Sequence, residues 1–177
     1  PEANIDDFSG LDLKGKIVVF ITGSAPQVPG ALASHYASSA ERAKLMRDLG
    51  AIGSIAIPNP AEMDLPWSRI SIARAIPSMA IDDPALDETK GIQFAAVWNP
   101  SNTGMLFDGA EHTFAELAEL AKNRESLPHF DMKRSVKAQV KLIETRVESA
   151  NVVGKFPGAD PKLEDEYVVL SAHMDHL

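Results

Sequence analysis

Cysteine is absent from this chain of 177 residues, which excludes disulfides, thiolate metal sites and cysteine nucleophiles while leaving the compartment open. A basic surplus is also missing. The 25 acidic residues outnumber 17 basic ones, giving a formal charge of -8, and no basic run offsets it. Nucleic acid and anionic membrane surfaces would repel such a chain, so neither is expected as a partner. No apolar stretch approaches the roughly 20 residues needed to cross a bilayer, so no membrane span is expected. Gly50, Gly53, Gly104 and Gly109 never combine with Lys and Ser/Thr into a phosphate loop, and no Gly-x-Ser-x-Gly surrounds Ser34, Ser38 or Ser39. There is no internal repeat and no low-complexity tract. The opening Pro1-Glu2-Ala3-Asn4 carries neither an initiator methionine nor the basic-then-apolar pattern of a signal peptide, so a mature form or an excised piece is expected.

What is present reads as alternating strands and helices. Ile17-Val18-Val19-Phe20-Ile21 is a short apolar run closed by Thr22-Gly23-Ser24, the pattern of a core strand. After a loop to Tyr36, Ser38 followed by Glu41 predicts a capping box. Ala43, Leu45, Met46 and Leu49 continue that helix at helical spacing, and Gly50 ends it. Ala51 to Ile57 predicts a second buried strand, stopped by Pro58-Asn59-Pro60. Ala61 to Ala75, with Trp67 beside Pro66, has no clear period and is expected to be a long surface excursion. Ile76 to Ile81 predicts a strand at a sheet edge, Asp82 to Thr89 a short helical turn, and Gly91 to Trp98 another strand. Thr113 and Glu116 form a second capping-box pair, opening a helix to about Asn123 with Phe114, Leu117, Ala118 and Ala121 inward.

Composition shifts after Leu127-Pro128-His129-Phe130. From Ser135 to Val147 the chain alternates strictly, with Val136, Ala138, Val140 and Leu142 opposite Lys137, Gln139 and Lys141, which predicts a half-exposed antiparallel strand. Val152-Val153-Gly154 continues it, Pro157 to Pro161 is a turn, and Tyr167 to Ala172 reads as a central strand. The boundary between two parts therefore falls near residue 130. The last strand runs into His173-Met174-Asp175-His176. Alternation puts His173 and Asp175 on one side at a strand's carboxyl end, where open α/β sheets place ligands. One imidazole nitrogen can bind a metal while the other donates to a carboxylate that fixes its tautomer.

Taken together, Ser149 to Gly154, Phe156-Pro157-Gly158, and Glu166 to Leu177 resemble the entry into the catalytic domain of the M28 family of zinc aminopeptidases. The first 130 residues are similar, more loosely, to the protease-associated domain that many of these enzymes carry. Its landmarks are Asp12 to Val19, Leu49 to Gly53, and Ile76 to Ile81. The resemblance implies an α+β fold. Residues 1–130 would form a β-barrel-like sheet with flanking helices, and residues 131–177 a β-hairpin that begins a truncated α/β exopeptidase domain. It implies His173 as a zinc ligand and Asp175 as its orienting partner in catalysis, with two zinc ions in the full-length parent. It also implies that the other ligands and the general base lie downstream, so these residues alone are expected to bind no catalytic zinc and to hydrolyse nothing. Peptide or protein substrates and a secreted or periplasmic location follow from the same likeness. A non-catalytic protein-binding module, or an inactive receptor-like relative, are the competing expectations. His176 reads as a supporting residue rather than a ligand. His35, His112 and His129 are expected to be surface residues without acidic partners, Trp67 to pack on its own loop in preference to lining a peptide-binding surface, and Glu164-Asp165-Glu166 to form a solvated turn.

Overall fold

A computed structural model describes residues 6–25, 27–163 and 165–173. The chain is α+β and divides into two units, Pro1–Val136 and Lys137–Leu177. In the first, the elements run β1 (Ile17–Ile21), α1 (Gly30–Tyr36), α2 (Ser39–Asp48), β2 (Gly53–Ile57), α3 (Trp67–Ile70), β3 (Phe94–Val97), α4 (Gly104–Phe107) and α5 (Phe114–Lys122), with 3-10 turns at Ser71–Ala75, Pro84–Leu86 and Pro100–Asn102. The strands form one parallel sheet in the order β1-β2-β3, with Ile17 opposite Gly53 and Gly53 opposite Phe94. Parallel neighbours require crossover connections, and α1 with α2 supplies the first.

The period-two pattern in the strands divides the core between the two sheet faces. Ile17, Val19 and Ile21 pack with Ile55 and Ile57 against Leu106 and Phe107 of α4 and Leu117 of α5. Val18 and Phe20 pack on the other face with Leu13, Met46 and Ala51. Ile55 and Ile57 are 0% exposed, and each such side chain stabilises the fold by roughly 1.5–3 kcal/mol. Gly53 is required by close approach: a Cβ there would lie 2.4 Å from the Phe94 carbonyl oxygen.

Two helix ends are closed by the same device. After α2, Gly50 at φ +81° lets its own amide donate to the Arg47 carbonyl and the Ala51 amide to the Met46 carbonyl. After α5, Arg124 takes this left-handed position at φ 59°, and the amides of Arg124 and Glu125 donate to the carbonyls of Ala121 and Leu120. The capping box of α5 forms as the sequence predicts. The Glu116 amide donates to Thr113 Oγ1 at 3.3 Å and the Thr113 amide to Glu116 Oε2 at 2.8 Å. Phe114, Leu117, Ala118 and Ala121 face inward.

Other expectations need correction. Ser38 stands at the N-cap of α2, but its side chain makes no capping bond. Only Ala43 and Met46 of the expected apolar stripe are buried, whereas Leu45 and Leu49 are exposed, because α2 covers a narrow strip of a small sheet. The stretch read as a loop before Tyr36 contains α1, and the irregular excursion from Ala61 to Ala75 contains α3 and a 3-10 turn. Ile76 to Ile81 is not a strand, and its Met79 is 85% exposed: no strand among the described residues pairs with it, so its backbone has no ladder to join.

The second unit carries no helix or strand among its described residues. The segments 135–147, 152–154 and 167–172, expected as a β-hairpin and central strand, have the alternation or apolar run of strands but no hydrogen-bonded neighbour there. Their apolar side chains stay in solvent, Leu170 at 95% and Val153 at 87% exposure. Local contacts occur within the unit. Lys155 Nζ donates to the Tyr167 hydroxyl at 3.1 Å and lies 4.9 Å from the centre of that ring.

Candidate functional site

His173 ends the described part of the second unit with an exposed side chain, while Asp175 and His176 lie outside the described residues. Whether one face carries both His173 and Asp175 therefore lies outside the described structure too. Among the described residues, no group of three or more His, Asp or Glu side chains stands close enough to hold a metal ion. Zinc sites in enzymes use at least three protein ligands, so one imidazole does not by itself fit the ion.

The first unit offers a different place. Its parallel strands all deliver their carboxyl ends to one edge, the position at which parallel α/β sheets gather ligands. Three residues beyond β2 and β3 stand Pro60 and Pro100, and both line a hollow of about 500 Å³ completed by Met63, Asp64, Leu65, Pro66, Trp67 and Ser101. Just before Pro60, a small polar network fixes the chain where it leaves β2. Asn59, only 4% exposed, donates its amide to Thr22 Oγ1 at 3.2 Å and accepts from the Ala61 amide at its side-chain oxygen, 3.1 Å, and from the Glu62 amide at its carbonyl, 3.0 Å. The Thr22 amide in turn donates to the Ile57 carbonyl, tying the ends of β1 and β2 together.

The walls are set just as locally. Pro66 occupies the N-cap of α3 and starts the helix at Trp67, whose side chain is half-buried. Pro100 follows Asn99, whose side-chain oxygen accepts from the Ser101 amide at 3.0 Å, and Trp98 anchors the same turn by donating its indole N–H to the Asn102 carbonyl at 3.0 Å. The sequence singles out Trp67 alone, because the residues around it have no periodicity to reveal the rest of the lining. The usable signal was the Pro58-Asn59-Pro60 stop immediately after an apolar strand.

A second cluster lies around the start of α5. His112, expected to lack acidic partners, is half-buried beside Phe130, with ring centres 5.1 Å apart. Its Nδ1 lies 3.9 Å from Glu116 and its Nε2 4.0 Å from Glu111. Hydrogen bonding by Thr113, first of its amide and then of its side chain, holds the Glu116 carboxyl below its ordinary range, with His112 a smaller contributor. Nearby, the Lys133 amide and then the Lys16 ammonium, 3.4 Å away, lower the pKa of Asp131. Arg134 is bonded to both the carbonyl and the carboxylate of Asp108, at 2.7 Å to the latter. These groups are mutually satisfied and tie the 130–134 segment to the α4–α5 connection. His35 and His129 are exposed, as expected.

Among the described residues no helix is long and apolar enough to cross a membrane. Comparison with protein-family models, curated proteins and solved structures gives no match for the chain.

Proposed function

We propose that the chain belongs to a longer zinc-dependent aminopeptidase, in which residues 1–130 form an accessory protease-associated module and residues 131–177 begin the catalytic domain. One observation carries this reading: the run Glu166 to Leu177, in which an apolar segment leads into a histidine followed two residues later by an aspartate. Two features support it. The shift in composition near residue 130 lies close to the division between Val136 and Lys137. The apolar side chains of 140–170 also face solvent, and those of 135–147 alternate as in a strand that awaits sheet partners.

In the longer protein, 135–147, 152–154 and 167–172 would be strands of the catalytic sheet. His173 would supply one zinc ligand, with Asp175 accepting a hydrogen bond from its second nitrogen. Two zinc ions would be held together with residues further along the protein. When bound, zinc polarises a carbonyl and activates water. The accessory module would shape access for peptide or protein substrates, in a secreted or periplasmic setting.

The test is hydrolysis of an aminoacyl chromogenic substrate by the longer protein, zinc-loaded and chelator-treated. Activity that needs zinc and collapses in His173→Ala supports the reading. Zinc-loaded protein without activity, or a fully active His173→Ala variant, overturns it. If the residues encoded after Leu177 contain neither further carboxylates nor a second histidine, the inactive receptor-like relative takes its place.

A further inference from the structure

We propose that the hollow at the carboxyl edge of the sheet is a recognition pocket for an arginine side chain presented by a peptide. This rests on the pocket's own chemistry and does not depend on the zinc reading. The lining pairs apolar side chains, Pro60, Met63, Leu65, Pro66, Trp67 and Pro100, with nearly as much polar surface, and its one ionisable group is the carboxylate of Asp64. No basic side chain lines it, and no described residue pairs with Asp64.

That combination selects a ligand with a flat cationic head on an apolar stem. A guanidinium stacks on an indole face and pairs with a carboxylate in a planar fork, while its methylene stem fits against proline and leucine. A compact ammonium gains only the charge, and an uncharged aliphatic chain only the apolar contact. The formal charge of -8 adds attraction for cations at long range. Pre-organisation adds to this. Asn59 fixes the chain just before Pro60, Pro66 starts α3, and the Asn99 side chain caps the Pro100 turn, which spares a ligand part of the entropy cost of ordering these segments. The volume of about 500 Å³ suits one long side chain with its flanking peptide groups.

The chain has two tryptophans, so indole N–H resonances report the pocket directly. Trp67 lines it and Trp98 supports its Pro100 wall, so the backbone amide of Leu117 in α5, outside the lining, serves as the reference for folding. The 177-residue protein would be titrated with Nα-acetyl-arginine amide, and with the lysine and norleucine analogues. The expected result is a saturating shift of the Trp67 resonance with the Leu117 amide unmoved, in the affinity order arginine, lysine, norleucine. Asp64→Asn should weaken arginine binding by about fivefold, the upper range for a solvent-accessible ion pair. Failure of the Trp67 resonance to saturate, norleucine binding as well as arginine, or undiminished affinity in an Asp64→Asn protein with an unchanged Leu117 amide resonance would each overturn the proposal. Loss of zinc-dependent peptidase activity would leave these shifts unaffected, so the two readings fail separately.

Discussion

Adding a single methyl group at Gly53 should destabilise the first unit, and the structure sets the size of the effect. A Cβ at this position would sit 2.4 Å from the Phe94 carbonyl oxygen, 3.0 Å from its Cβ and 3.2 Å from its carbonyl carbon. Normal contact begins near 3.4 Å, and the nearest obstacle is backbone, so β3 must retreat by close to an ångström. It cannot do so freely, because the Gln93 amide donates to the Ile52 carbonyl at 2.7 Å and the Trp98 amide to the Ala56 carbonyl at 2.8 Å on either side. Overpacking of this kind costs about 1–3 kcal/mol, and strained ladder bonds add to it. Against this, replacing glycine restricts the unfolded chain and recovers about 0.4–1 kcal/mol. The net expectation for Gly53→Ala is a loss of about 1–2 kcal/mol. Gly104→Ala is the matched control. Nothing lies within 4 Å of its added Cβ, and it opens α4 without a positive φ, so the same change should stabilise by about 0.5 kcal/mol. Urea unfolding followed by tryptophan fluorescence reads both. If Gly53→Ala matches Gly104→Ala in sign, the close packing of β3 on β2 is wrong.

Truncating the fully buried Ile55 to alanine should cost about 2–5 kcal/mol by urea denaturation, with the lower end expected if α4 collapses onto the cavity. Thr113→Ala removes one half of the capping box and should cost about 1 kcal/mol, visible as a lower urea midpoint. The Glu116 carboxyl is depressed from its ordinary value of 4.5, so its contribution is present above that pH and is lost as pH falls through the lower folded value. Glu116→Gln should therefore flatten the acid limb of the midpoint-against-pH curve, and an unchanged limb would refute the role of the cap. Arg124 holds a left-handed conformation after α5, so Arg124→Gly should raise stability by about 0.5–1 kcal/mol in the same assay.

Legibility in the sequence followed the range of the interactions involved. β1, β2 and α5 could be read because a run such as Ile17 to Ile21, or the pair Thr113 and Glu116, specifies structure within a few residues. The site edge could not be read, since Pro60 and Pro100 come together only when β2 and β3 pair in parallel. Ser38 shows the limit even of a local signal: it occupies the cap position but leaves the helix amides to other partners. The alternation from Ser135 to Val147 records which residues would face a sheet, yet alternation supplies no hydrogen-bonding neighbour. For His173 and Asp175 the chemistry lives in residue types and spacing alone.

Zinc-edge anomalous diffraction from crystals of the longer protein puts the imidazole at position 173 to its most direct test. A peak about 2.0–2.1 Å from one ring nitrogen of His173, with the Asp175 carboxylate against the other, is the expected result. Zinc bound at full occupancy with His173 out of bonding range, or no zinc in an active peptidase, would contradict it.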